Sequence, residues 1–183
     1  MIHHIDLSSV LRRSVHALYS NLVTRPTGVA VRSEIEQLVA EQAGRTLTVI
    51  DFTHVRLLDF SCADEVVAKL LLRVDGYFVF RGLHEAHLDA IEATLARYDL
   101  AMVIEQADGT ARLVGIVADD ERRAWSAVHH LGGADVQTLA ATIGAEPCDA
   151  ARLLDTLSGR RLLVQLGAVY LPVGSLNNGP AVS

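Results

Sequence analysis

The sequence predicts an α/β protein: a mixed sheet covered by helices, then a small unit of short helices closed by a hairpin. Three observations carry this. β-branched apolar runs alternate with helical periodicity through residues 1–117, an Asp108-Gly109 pair folds the last of those strands back, and after Val117 three short helices bounded by glycines take over. The chain therefore divides into 1–117, 118–174 and a tail of linker-like composition at 175–183.

Composition bounds the class. Half of the 183 residues are hydrophobic, which supports a packed core and excludes disorder as the main state. The apolar runs are short and broken by charge, so no membrane span is expected, and the opening Met-Ile-His-His-Ile-Asp lacks the pattern of a secretory signal. Cys62 and Cys148 lie far apart and form no CxxC pair, which argues against a disulfide framework and fits a reducing, cytoplasmic setting. A formal net charge of -6 provides no global attraction to nucleic acid or anionic membrane.

Element by element, His4–Leu7 reads as a short strand or lead-in. Asp6 or Ser8 caps a helix over 9–22, with Leu11, Val15, Leu18 and Leu22 on one face. Arg25-Pro26-Thr27-Gly28 is a proline-initiated start, leading to a helix from about Val29 to Ala43 that Gly44 ends. Thr46–Phe52 is a buried strand and His54–Leu58 a short extended piece. A helix from Cys62 to Val74 turns Val66, Val67, Leu70, Leu71 and Val74 inward, and Gly76–Arg81 is the next strand. A helix over 84–98, a strand Leu100–Gln106 and its antiparallel return Ala111–Val117 complete the first unit. Right-handed crossovers between the strands imply a partly parallel sheet. In the second unit, helices run from Ala118 to Leu131, from Val136 to Ile143 and from Cys148 to Ser158. Strands Arg161–Leu166 and Ala168–Pro172 turn about Gly167.

Chemistry-bearing residues concentrate in Asp59-Phe60-Ser61-Cys62-Ala63-Asp64-Glu65. Ser61 followed three residues on by Asp64 is a capping box, in which the serine oxygen accepts a backbone N–H and the carboxylate reaches back. Asp64 and Glu65 then occupy a first turn that the helix dipole favours, and loss of the Ser61 cap is expected to cost about 1 kcal/mol. The same position, at the end of a buried strand and the head of a helix, is one that a second protein can reach.

The stretch Thr46-Leu-Thr-Val-Ile-Asp-Phe52 through Leu71 resembles the STAS superfamily, the domain of sulfate transporters and anti-sigma-factor antagonists. The likeness covers residues 1–117, and its strongest part is 46–82. It implies a regulatory module that docks a bacterial partner, such as an anti-sigma factor or kinase-like ATPase, through Asp59, Phe60, Ser61, Cys62, Asp64 and Glu65. Antagonist members carry Asp-Ser-Ser/Thr-Gly there and are phosphorylated on the first hydroxyl. Here Phe60 stands in the acceptor position, Cys62 replaces the glycine, and Ser61 is offset by one. Three short helices followed by a hairpin is the order of a winged helix, which residues 118–174 resemble.

Other motifs carry bland readings. Carboxylates beside Cys62 disfavour its thiolate, and His84-Glu85-Ala86-His87 lacks the spacing of a zinc helix. His129-His130 suits a helix C-terminus, and neither phosphate-loop fingerprint occurs. No catalytic, cofactor-binding or metal residue is assigned, and the chain is read as a non-enzyme. The alternative function is a DNA-binding regulator using Arg152, Arg160 and Arg161, with Arg122 and Arg123 nearby. Against it, the third helix also carries Glu146, Asp149 and Asp155, which repel phosphate. A regulatory protein partner is expected; residues 118–174 are read as packing against the first unit or a partner protein, and homodimerisation is left open.

Overall fold

The computed structural model describes residues 2–15, 20–42 and 47–174. The chain divides into two compact units, Met1–Ile116 and Val117–Ser183.

The first unit is a mixed α/β structure. Strands β1 (Ile2–Asp6), β3 (Leu47–Asp51), β5 (Tyr77–Arg81), β6 (Ala101–Glu105) and β7 (Ala111–Gly115) form one sheet in that order. The pairs β1–β3, β3–β5 and β5–β6 are parallel, and β6–β7 is the antiparallel hairpin that Asp108-Gly109 announces. A separate parallel pair joins β2 (Asn21–Leu22) to β4 (Leu57–Leu58). Helices α1 (Leu7–Ser14), α2 (Arg25–Ala40) and α4 (Glu85–Arg97) flank the sheet, together with α3. The last is one helical run in three parts: Phe60–Ala63, a wider π-helical stretch Asp64–Lys69, and Leu70–Arg73. Alternate residues of one sheet face, Ile5, Ile50, Phe78, Phe80, Met102 and Ile104, share a core with Val31, Ile35, Val66, Leu70, Ile91 and Leu95 from the helices.

Helix α3 lies against both α2 and α4, and every residue from Cys62 to Ala68 is buried. A helical stretch covered all round has no polar face to spend on solvent, so any charge it carries must be met by its neighbours. Gly28 permits the close approach of α2. A Cβ there would come within 3.1 Å of both the Cys62 Cα and the Glu65 Cβ.

Several sequence expectations change here. The first helix ends at Ser14 rather than 22, because Leu22 is drawn into β2 beside Leu58; Leu18 falls outside the described residues. The capping choice resolves to Asp6, whose carboxylate accepts from the Ser8 amide at 2.9 Å and from the Ser8 and Ser9 hydroxyls. Helix α2 starts at Arg25, four residues before Val29. Thr24 is its N-cap and Pro26 stands in the first turn, where a missing N–H costs nothing. It ends at Ala40; the Gly44 cap and the 175–183 tail lie outside the described residues. The extended piece at 54–58 shortens to Leu57–Leu58.

The second unit contains α5 (Asp119–Leu131), α6 (Val136–Ile143), α7 (Pro147–Gly159) and the antiparallel pair β8 (Leu163–Leu166) and β9 (Val169–Pro172). Gly132, at φ 71, closes α5 in the left-handed conformation. Trp125, Leu139, Leu153, Leu154, Leu157 and Tyr170 are buried. The Trp125 indole donates to the Leu162 carbonyl at 3.3 Å. Among the described residues no helix is long and apolar enough to cross a membrane.

Candidate functional site

The head of α3 is built on Asp59. Its Oδ1 accepts the Cys62 amide and the Ser61 hydroxyl, each at 2.8 Å, so Asp59 is the N-cap. This overturns the Ser61–Asp64 capping box: Ser61 lies one residue inside the helix and donates to the cap, while Asp64 is turned away from the terminus. Asp59 can take the role because its backbone is extended and its carboxylate reaches the free amide two residues inside the helix.

Asp64 and Glu65 are only 2% exposed, so they are not themselves open to a partner as the sequence reading placed them. The Asp64 Oδ2 accepts from Arg25 at 2.8 Å and lies 3.3 Å from the Lys69 amine, while its Oδ1 accepts the Tyr98 hydroxyl at 2.8 Å. Glu65 Oε1 accepts from the same Arg25 nitrogen at 2.7 Å and from Lys69, and Oε2 accepts from Arg32 at 3.1 Å. Arg32 also pairs with Glu36. Three cations thus meet three carboxylates in one continuous network. Burial pushes the Asp64 carboxyl up, but the hydrogen bonds from Arg25, Tyr98 and Lys69 outweigh it and hold the group below the usual carboxylate range. For Glu65, burial is likewise outweighed by Lys69, Arg32 and Arg25. Both are fixed anions, and their lone pairs are occupied by structural partners rather than offered to a substrate.

Cys62 is fully buried and donates its thiol to the Thr24 carbonyl at 3.0 Å. Burial, with the Asp59 carboxylate beside it, pushes that thiol up to about 12, so it stays protonated and is a poor nucleophile.

This region exposes large apolar side chains as well as Arg25 and Arg56. Leu57 is 55% exposed, Phe60 40% and Val23 39%. The parallel pairing of Asn21 with Leu57 and Leu22 with Leu58 buries Leu22 and Leu58. Val23 and Leu57 therefore alternate onto the opposite, outer face, and the Asp59 amide donates to the Leu22 carbonyl at 2.8 Å beside them. Arg25, whose side chain is 46% exposed, follows directly on Thr24.

Sequence reasoning missed Arg25, Arg32, Lys69 and Tyr98. Local signals existed for two of them: Glu65 and Lys69, like Arg32 and Glu36, stand four apart on a helix. No local pattern announces Arg25 or Tyr98, which come 39 and 34 residues from Asp64.

Elsewhere in the first unit, His87 is buried and its Nδ1 accepts the His84 amide at 3.3 Å; burial pushes its imidazole down. A cleft of about 640 Å³ opens at the carboxyl ends of β3, β5 and β6, with Asp51 and Arg81 at its rim joined through 2.9 and 2.8 Å contacts. Among the described residues no group of three or more His, Cys, Asp or Glu side chains could hold a metal ion.

In the second unit, the arginines singled out for nucleic acid are engaged with acids or held at a turn. Arg160 donates to Glu121 at 2.6 Å, and Arg152 lies 3.4 Å from Asp120 on the surface. Arg161 sits just beyond α7 at φ 60, its amide donating to the Ser158 carbonyl. Arg123 donates to the Ile143 carbonyl at 2.6 Å. His129 stacks on Trp125 at 5.0 Å.

No family model matches the chain, and no curated protein is a significant match to it.

Proposed function

We propose that this chain is a non-enzymatic regulatory protein whose first unit, STAS-like, docks a partner protein at the head of α3, with a winged-helix-like second unit as its appendage. The observation that carries the reading is the outward exposure of Leu57 and Phe60, which stand on either side of the Leu58–Asp59 pair at the head of α3. Large apolar side chains grouped on a rigid base are what a protein interface uses as anchors. The protonated Cys62 and the salt-linked Asp64 and Glu65 also favour binding over catalysis. The docking surface in this reading is Asp59, Phe60 and Ser61 with Leu57, and Cys62, Asp64 and Glu65 support it from beneath. A cytoplasmic bacterial partner of the anti-sigma-factor or kinase-like ATPase type follows from the resemblance of residues 46–82.

The DNA-binding reading of residues 118–174 draws less support, because Arg160 and Arg152 already face carboxylates. Affinity capture from native lysate, with mass-spectrometric identification, tests the docking reading. Capture of a kinase-like ATPase that is lost on Phe60→Ala and Leu57→Ser is the expected result. Capture of the same protein at an unchanged level by both variants would place the interface elsewhere.

A further inference from the structure

We propose that a second copy of this chain pairs with the open edge of β8, strand against strand, so that the second unit serves self-association. The inference concerns the second unit alone and goes beyond the docking reading of the first.

The register of the hairpin shows which side of β8 is open. Gln165 stands opposite Tyr170. Tyr170 spends both its amide and its carbonyl on Ala134, at 2.8 and 3.0 Å. In an antiparallel ladder, opposed residues exchange both backbone bonds or neither. Gln165 and Tyr170 are therefore a pair that exchanges neither, and the Gln165 N–H and C=O point away from β9. No backbone partner takes them among the described residues. β9 thus has a neighbour on each side, Ala134 and β8, whereas β8 ends the sheet.

Natural sheet edges carry a charge, a proline or a bulge that discourages further pairing. β8 carries none of these: it pairs with β9 residue for residue, and residues 162–173 contain no charged side chain. Its hairpin is also apolar on both faces. Leu163 and Tyr170 are buried on one, while Val164, Leu166, Val169 and Leu171 alternate onto the other. On that outer face Leu166 is 57% exposed and Val169 40%. An antiparallel sheet with a solvated face ordinarily makes that face polar.

An open ladder edge specifies the form of its occupant, an extended segment that supplies main-chain bonds. The chain's own β8 fits that form. About a two-fold axis through Gln165, this residue meets its counterpart in the second copy, and the two exchange both backbone bonds. Val164 then stands opposite the copy's Leu166, and Leu166 opposite its Val164, so the outer apolar face runs on across the junction. The strands bring no like charges together, although each chain has a formal net charge of -6. An edge of four residues is small beside the roughly 800 Å² per partner of a standard interface, so the dimer is expected to be weak, with a Kd on the order of 100 µM.

Sedimentation velocity of the full chain, from micromolar to millimolar concentration, reads the association directly. The expected result is a monomer that converts to dimer across this range. Gln165→Pro removes the outward N–H without touching a β8–β9 bond, and should weaken the dimer about tenfold or more while the far-UV circular dichroism stays that of the parent. A second measurement holds if proline disturbs the hairpin. In a Cys148→Ser background, Gln165→Cys places two thiols on residues whose Cα atoms lie about 5.5 Å apart across the two-fold, within reach of a disulfide. Oxidised glutathione should convert this variant to a covalent dimer, and should leave Val169→Cys, which stands on β9, largely monomeric. A chain that stays monomeric at millimolar concentration would overturn the proposal. So would a dimer that persists unchanged in folded Gln165→Pro, or cross-linking of Val169→Cys as ready as that of Gln165→Cys.

Discussion

Two helices of this molecule begin with similar letters and end in opposite environments. Helix α3 opens Asp59-Phe-Ser-Cys62-Ala-Asp64-Glu65, and α7 opens Glu146-Pro-Cys148-Asp149-Ala150. In α3 every residue from Cys62 to Ala68 is buried; in α7 Glu146 through Asp149 are exposed, and Ala150, Leu153, Leu154 and Leu157 form a single buried stripe. The acids of α3 are consequently structural and tied to cations from other turns and other helices. Those of α7 remain on the surface, and one of them, Asp155, accepts the Tyr170 hydroxyl at 2.8 Å. The lesson is that a cysteine-and-carboxylate cluster has no fixed meaning: the number of faces its helix must cover decides between a solvated cap and a buried network.

The sharpest contrast is expected in thiol chemistry. A disulfide-exchange reagent should titrate Cys148 promptly in the native chain and Cys62 only after unfolding, since burial both shields the latter thiol and pushes it up to about 12. Two promptly reacting thiols would break the comparison at its base.

Next in size is the cost of removing a buried charge. Glu65→Ala leaves Arg32, itself buried, without its interior partner, and chemical denaturation should register a loss of about 3–5 kcal/mol. A loss under about 1 kcal/mol would mean that water reaches the network freely.

Acid should act on the same residues. Asp64 and Glu65 titrate in the folded state below their unfolded values of roughly 3.9 and 4.3. Their contribution is therefore complete above those unfolded values and is lost as pH falls through the lower, folded ones. Denaturation midpoints measured from neutral pH downward should fall in that acidic window, and Glu65→Gln should flatten the fall. An unchanged slope in that variant would assign the acid sensitivity to other carboxylates, such as Asp6 or Asp51, which are also held low.

Capping sharpens the comparison further. Asp59→Ala should cost about 1 kcal/mol, and Ser61→Ala clearly less, because Asp59 holds the Cys62 amide and Ser61 only donates to Asp59. The reverse order in thermal melts would restore Ser61 as the cap. The smallest effect belongs to α7: Arg152→Ala breaks an exposed 3.4 Å pair and should stay within about 0.5 kcal/mol of the parent.

The strands of the main sheet, the Asp108-Gly109 hairpin, the end of α5 at Gly132 and the apolar stripe of α7 were legible in the sequence, whereas β2 was not, because its residues continue an apolar helical pattern and pair with a strand 36 residues away. Each legible feature is a local matter: strand and helix periods repeat within one segment, and a turn or cap is settled by residues a few places apart. Asp59 was named, but its capping role was hidden by a competing Ser61–Asp64 pattern of equal local merit. Only the tertiary structure decided that Asp64 and Glu65 lie inside. Burying a carboxylate requires cations and hydroxyls from elements that fold against it, and Arg25, Arg32 and Tyr98 arrive from α2 and from the end of α4. Their spacing from Asp64 and Glu65 is set by how α2 and α4 pack on α3, through contacts such as Gly28 against Cys62. Hydrophobic periodicity can predict that a helix has a buried side. It cannot predict that the remaining side will be covered too, because that depends on neighbours distant in the chain and on the charges they bring.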